Sequence, residues 1–339
     1  MPAAVTTKDP APAPAPKRVS LANVTRGPLV RPMRIMLYGV PGVGKSSWAS
    51  HAPAPIYLGA EEGTSQLDVT RFPDPTSWTE TLEAVDELAR TEHPYKTLVL
   101  DTLDSLEALC WAHVCATRRT KSGKRAESIA DFGFGDGYAV ALDVWRTLVS
   151  GLEQVHARGM HLITIAHCHV KRTNNPEGDD FDRYMPKLHD KAAGLFKGWS
   201  DVMLFAAYET FTRTTEGGRT KGISSGARVL YTEYSAAYDA KNRYDLPPRL
   251  PLDWESFMQA VAAHRPADPA ALRERIDQLL GHPGATVELV TRVRAAVAGA
   301  GDNAAQLARI LNHLTATVAA DGGAATTPPP PDTKETPTP

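Results

Sequence analysis

Gly39-Val40-Pro41-Gly42-Val43-Gly44-Lys45-Ser46 fits G-x-x-x-x-G-K-[ST], and few short strings constrain a fold more. Such a loop works only where a buried strand turns into the first turn of a helix. The flanks agree: Arg34 to Tyr38 is a short apolar run that reads as a strand, and Ser46 to Ser50 can open a helix. The glycines let the backbone curl so that successive N–H groups face phosphate oxygens. The expected nucleotide-binding set is therefore Gly39, Pro41, Gly42, Val43, Gly44, Lys45, Ser46 and Ser47. Lys45 would reach the β- and γ-phosphates and the Ser46 hydroxyl would hold Mg²⁺, so the expected cofactors are ATP and Mg²⁺.

A strand that feeds a helix through this loop calls for a parallel sheet, and the rest of the chain alternates accordingly. Further strands are read at Pro55 to Gly59, Thr97 to Leu100, His161 to Ala166 and Val202 to Phe205. Thr210 to Thr214 and Arg228 to Thr232 read as two more, flanking a glycine-rich turn at Glu216-Gly217-Gly218. Trp78, Leu82, Val85 and Leu88 share one helical face, as do Leu142, Trp145, Leu148, Val149 and Leu152. After Pro266 the pattern turns helical, with stripes at Leu272, Ile276, Leu279 and Leu280, at Val290, Val293 and Val297, and at Leu307, Ile310, Leu311 and Leu314. The expected fold class is α/β: a P-loop NTPase core of mainly parallel sheet flanked by helices over residues 21–263, with a small helical appendage over 264–318. Residues 1–20 and 319–339 are rich in Pro, Ala and Thr and lack the apolar content to offset chain entropy, so both are expected to be disordered tails.

The 37 basic and 39 acidic residues leave a net charge of -2, so any nucleic-acid binding must come from local patches. Cys110, Cys115 and Cys168 cannot form a paired framework, which suits a reducing compartment. No apolar run approaches a membrane span and no signal-peptide core is evident, so a cytoplasmic protein with no membrane partner is expected.

The chemistry around the phosphate is read from strand ends. Apolar Thr97 to Leu100 followed by Asp101 fits a Walker B strand whose carboxylate orients Mg²⁺; an aspartate capping the next helix is the alternative reading, and it fits Asp104 more than Asp101. Asp101 is followed by Thr102, not by an acid, so the base for the attacking water must come from elsewhere. Glu61 and Glu62 directly follow the second strand; Glu61 is taken as the base, and a solvated acidic loop is the other reading. The fourth strand ends in His167-Cys168-His169, where no spaced second ligand pair supports a metal site. His167 is read as facing the γ-phosphate, with a locally bonded buried histidine as the alternative. Lys241 and Arg243 share one face of an extended segment and can reach a neighbouring subunit's γ-phosphate; a solvated basic turn fits the spacing equally.

Together these residues resemble the RecA/DnaB superfamily. Lys241-Asn242-Arg243-Tyr244 is similar to the Lys-Asn-Arg-Phe-Gly motif of RadA, with Asp245 where RadA has glycine. Asp131-Phe132-Gly133-Phe134-Gly135-Asp136-Gly137-Tyr138 and Lys241 to Pro247 look like phage RecA-core ATPases, some of which act as single-strand annealing proteins. The resemblance covers roughly residues 20–262 and implies a RecA-like core with two DNA loops. One carries Arg118, Arg119, Lys121, Lys124 and Arg125 in a flexible basic loop; the other carries Lys171 and Arg172 after the fourth strand but is made partly acidic by Asp179, Asp180 and Asp182. The first is therefore the stronger candidate, with a solvated basic loop as the other reading. Phe132, Phe134 and Tyr138 would offer stacking faces.

The resulting expectation is a DNA-stimulated ATPase on single-stranded DNA, a homo-oligomeric ring or filament in phage recombination or replication. ATP would lie between subunits, and a single-strand-binding protein is a further expected partner. A DnaB- or RadA-like translocase and a scaffold merely ordered by ATP are the competing readings. Processive unwinding would mark the first, and retained ATP binding with negligible turnover the second.

Overall fold

Side chains along the central strands alternate between two apolar cores, so strands that look uniformly apolar in sequence are buried on both faces. The computed structural model of the chain describes residues 24, 29, 31–59, 62–176, 178–214, 220–264, 269–282 and 285–322. Met1–Val30 and Arg31–Pro339 form separate units. In the second unit, β1 (Arg34–Gly39), β2 (Pro55–Leu58), β3 (Thr70–Arg71), β4 (Thr97–Asp101), β5 (His161–Thr173) and β7 (Val202–Thr214) lie parallel in the order β7-β1-β5-β4-β2-β3. β8 (Thr220–Tyr231) and β10 (Arg249–Pro251) extend the β7 edge in antiparallel fashion. β9 (Lys241–Asn242) pairs with the start of β7, and β6 (Phe181–Pro186) pairs with the far half of β5.

Met36, Tyr38, Leu98, Leu100, Leu162 and Phe205 point to one face. That face is covered by α2 (Trp78–Arg90), α3 (Leu103–Thr117), α4 (Asp136–Ala157) and α5 (Asp190–Trp199). Trp145 sits at its centre, edge-on to Trp78 at 5.0 Å and to Phe196 at 5.1 Å between ring centroids. Ile35, Leu37, Val99, Ile163 and Leu204 point to the other face, against α1 (Lys45–Ser50) and α6 (Trp254–His264). There Trp48 meets Trp254 edge-on at 4.7 Å. Each such aromatic pair contributes roughly 0.5–1.5 kcal/mol beyond its buried area.

α7 (Pro269–Leu280), α8 (Val287–Ala300) and α9 (Ala304–Gly322) share a core of their own around Leu272, Ile276, Leu289, Val293, Leu307 and Leu314. Among the described residues no helix is long and apolar enough to cross a membrane.

Several boundaries differ from the sequence reading. Thr210–Thr214 is not a separate strand but the continuation of β7. The helices α3 and α5 and the strand β6 lacked a clear periodic signal: α3 buries Leu103, Leu106, Cys110 and Val114 on one face, but Ala108, Ala112 and Ala116 on its exposed face blur the stripe. α9 continues to Gly322, past the expected end at 318. The remainder of the two expected tails and the turn at Glu216 to Gly218 lie outside the described residues.

Candidate functional site

β5 runs between β1 and β4, and the three strands end at one edge of the sheet. Gly39 lies level with His167, and Asp101 level with Ile165. The phosphate loop, Asp101 and His167 therefore emerge together, at the carboxyl ends of parallel strands where open α/β sheets bind ligands. A cavity of about 340 Å³ lies between them, lined by Gly42, Gly44, Lys45, Ser46, Asp101 and His167, with Ser47 and Thr102 at its wall. Gly59 permits this convergence: a Cβ there would lie 1.8 Å from the Asp101 carbonyl oxygen.

The loop has the curl its glycines were read to allow. Gly42 and Gly44 have φ of 74° and 105°, the left-handed region that glycine alone enters readily. A Cβ on Gly42 would meet nothing within 4 Å, so it is the backbone conformation and not crowding that calls for glycine there. Lys45 is buried, and its Nζ donates to the carbonyls of Gly39 and Val40, both at 3.1 Å. The ammonium is thus folded over the space where phosphate oxygens would replace those carbonyls. Three side chains hold the loop from outside: Tyr57 Oη donates to Ser46 O at 2.8 Å, Tyr208 Oη to Gly42 O at 3.0 Å, and Arg228 Nη1 to Val43 O at 3.4 Å. An amine, a hydroxyl and a carboxylate on one concave wall form a donor set suited to a triphosphate with Mg²⁺.

His167 is fixed by Asp104. Asp104 Oδ1 accepts the His167 backbone N–H at 2.9 Å, and Oδ2 contacts Nδ1 at 2.9 Å. Burial works against ionisation of Asp104, but the bonds from His167 outweigh it and hold the carboxyl below its ordinary value. The expectation that Asp104 caps the next helix is corrected here: Thr102 is the N-cap of α3, in a reciprocal capping box with Ser105. One turn along α3, Glu107 accepts the His189 backbone N–H at 3.1 Å. Burial, offset in part by that bond, pushes Glu107 up to about 7, with the Asp104 charge adding to the rise.

Other expected residues lie apart from this cavity. Glu61 lies outside the described residues, and Glu62 opens a single 3-10 turn ending at Thr64. Lys241 pairs with Met203, level with Met36 and so toward the opposite end of the strands from the loop. Its three ammonium hydrogens meet the carbonyls of Lys197, Gly198 and Ser200 at 2.8, 2.9 and 2.6 Å, closing the carboxyl end of α5. Arg243 Nη1 contacts Asp201 Oδ1 at 3.3 Å while its side chain stays 52% exposed. Within one chain neither cation joins the phosphate cavity; besides Lys45, a second cation, Arg228, contacts the loop there.

The two expected DNA segments are more ordered than loops. Arg118 to Arg125 form a tight turn, with Arg119 and Arg125 bridged in antiparallel register and the Thr120 N–H donating to Lys124 O at 3.0 Å. The expected second loop is instead a hairpin, because β5 continues to Thr173 and pairs Lys171 with Arg183 and Arg172 with Asp182 on β6. A chain of contacts joins turn and hairpin: Lys121 with Asp136, Tyr138 stacked on His189 at 4.0 Å, and Lys171 Nζ with Asp190 at 2.6 Å. Of the three expected stacking rings, Phe132 is buried, Tyr138 is taken by His189, and Phe134 is fully exposed.

Asp104, Tyr57, Tyr208 and Arg228 were not singled out as site residues. Asp104 had a local signal, an acid placed one helical turn after the Walker B position. Tyr208 and Arg228 come from distant strands, and nothing near them in sequence marks their target.

A family model described as an AAA domain matches residues 31–244. Among curated proteins none matches the chain.

Proposed function

The chain belongs to this AAA-domain family of P-loop ATPases, and on that premise we propose that it hydrolyses ATP as a homo-oligomer on single-stranded DNA. Nucleotide binding and hydrolysis are the family's chemistry; the DNA reading rests on this chain's own surface. The observation that carries it is the continuity of β5. One strand bears His167 at the phosphate cavity and, a few residues on, Lys171 and Arg172 in the β5–β6 hairpin, where they face Asp190 and Asp180. A change felt at the phosphate end therefore has a rigid path to the hairpin.

Two further features support an anionic partner. Arg119 and Arg125 oppose each other directly, which costs stability unless an anion lies between them. A cavity of about 530 Å³ between the hairpin and α5 is lined by Lys171, Arg172, Arg183 and Lys197 against Asp190 and Asp239. Exposed Phe134 adds a ring on which a base can stack. The resemblance to phage RecA-core ATPases supports annealing or strand exchange in phage recombination or replication as the setting.

In this reading Lys45 and the loop N–H groups bind the triphosphate, and Ser46 and Asp101 hold Mg²⁺, which would neutralise the phosphate charge. Glu61 is the general base, His167 faces the γ-phosphate, and Arg243 of an adjacent copy completes the site. The test is single-strand binding across a salt series. Replacing Arg118, Arg119, Lys121, Lys124 and Arg125 with Gln should weaken binding and lower the log–log salt slope by about 0.7 for each phosphate no longer neutralised. Basal ATPase should survive. If the unaltered chain hydrolyses ATP but does not bind single strands, the DNA reading fails and a scaffold ordered by ATP replaces it.

A further inference from the structure

We propose that Asp104 is a positioning residue of the hydrolytic site: it clamps the backbone and ring of His167, keeps the ring proton on Nδ1, and leaves Nε2 toward the phosphate cavity to accept a hydrogen bond from the attacking water. The inference rests on the ATPase reading and is independent of DNA.

The geometry is specific. Both Asp104 oxygens meet His167, one at the backbone N–H and one at the ring nitrogen, each at 2.9 Å, and the Thr102 side chain adds a further hydrogen bond to the carboxylate. An ionised carboxylate only accepts, so the Nδ1 it touches must carry the hydrogen. In the neutral ring Nε2 then holds a lone pair. Among the described residues no protein group bonds Nε2, and His167 lines the cavity shared by Lys45, Ser46 and Asp101. The Asp104 side chain is only 8% exposed, and it is carried on a helix whose first turn is locked by the Thr102–Ser105 capping box. The same division of labour, a buried acid fixing the tautomer of an imidazole that handles the reacting oxygen, governs hydrolytic triads.

For hydrolysis the water oxygen bonds to the γ-phosphorus as the bond to the β–γ bridging oxygen breaks, giving ADP and inorganic phosphate. One water hydrogen passes to the general base. The other O–H is directed at His167 Nε2, which sets the line of attack without taking the proton. A carboxylate at position 104 is needed for this because an amide there would offer N–H to Nδ1 and move the ring proton to Nε2, turning the acceptor into a donor.

The experiment measures ATP affinity and steady-state turnover for the full chain and for Asp104→Asn, His167→Leu, His167→Gln and Asp104→Asn/His167→Leu. Asparagine can still accept the His167 backbone N–H, so the fold has its anchor. Asp104→Asn should lower kcat by about tenfold or more, with ATP affinity within about twofold of the unaltered chain. The double variant should be no slower than His167→Leu, because Asp104 acts only through the ring. His167→Gln, which keeps an acceptor oxygen, should exceed His167→Leu in kcat. Unchanged kcat in Asp104→Asn overturns the proposal. So does a loss confined to ATP affinity, which would make the ring a phosphate ligand, or additive losses in the double variant, which would make Asp104 merely structural. If Asp104→Asn fails to fold, the two His167 variants decide: Gln no better than Leu removes the water-orienting role. Absence of turnover in the unaltered chain would instead strike the ATPase reading itself.

Discussion

The two ends of the central strands use charge in opposite ways. At the carboxyl end Lys45, Asp101 and His167 converge on an open cavity of about 340 Å³. At the amino end the charges close on one another. Arg34 makes two side-chain bonds to Asp201, at 3.0 and 3.3 Å, and one to Glu153 at 2.9 Å. Asp201 also accepts the Arg34 backbone N–H at 3.0 Å and meets Arg243. Lys241 is taken by three carbonyls beside it. The difference lies in what surrounds each cation: Lys45 is held at the wall of an open cavity by two loop carbonyls, whereas Arg34 and Lys241 are enclosed by carboxylates and helix-end carbonyls. Lys241 and Arg243, equivalent in sequence, part company in the same way: one has all its donors engaged, the other remains half exposed.

Three experiments put this contrast between the ends at risk. The largest effect is expected from Lys45→Ala, which should abolish nucleotide binding or turnover while the melting temperature stays close to that of the unaltered chain. A folded Lys45→Ala protein with normal ATPase would mean that the cavity end is not the working end. Next is Arg243→Ala. If Arg243 acts across a subunit boundary, ATP binding should persist while turnover falls by about 10³-fold or more, the scale of an arginine finger. Mixing it with Lys45→Ala should restore part of the activity, since some interfaces then pair an intact loop with an intact Arg243. A mixture that co-assembles yet stays inactive would leave Arg243 a purely structural partner of Asp201.

The smallest effect is a change in stability alone. Asp201→Asn should cost about 1.5–3 kcal/mol, the value of a charged hydrogen-bond partner, with ATP affinity unchanged. Its pH dependence has a definite sign. Burial opposes ionisation of Asp201, yet the Arg34 bonds dominate and hold its carboxyl below the ordinary value of 3.8. A carboxyl depressed in the folded state contributes stability above its unfolded value and loses it as the pH falls through the folded one. The unaltered chain should therefore lose this contribution on acidification below about pH 4, and Asp201→Asn should lack that part of the loss in chemical denaturation. Equal acid sensitivity in both would show that the amino-end network contributes little.

Local pattern was enough to specify the strand–loop–helix around Lys45, the apolar strands ending near Asp101 and His167, and the amphipathic helices α2 and α4. A strand buried on both faces and a helix with one apolar face write their period into neighbouring residues. The glycine-rich loop was equally legible, because Gly42 and Gly44 occupy backbone conformations that few other residues enter.

Which distant groups meet is a matter of the assembled fold. Asp104 was read as a helix cap and instead grips His167 across two strands, because Thr102 and Ser105 already satisfy the end of α3. Lys171 and Arg172 were read as loop residues and are strand residues, because β6 supplies hydrogen-bond partners that no local pattern announces. Tyr208 and Arg228 reach the phosphate loop only because β7 lies beside β1 in the sheet and β8 beside β7. Residues separated by long stretches of chain become neighbours through strand order. Strand order is set by how the two apolar cores close around the whole sheet, not by any single segment of it.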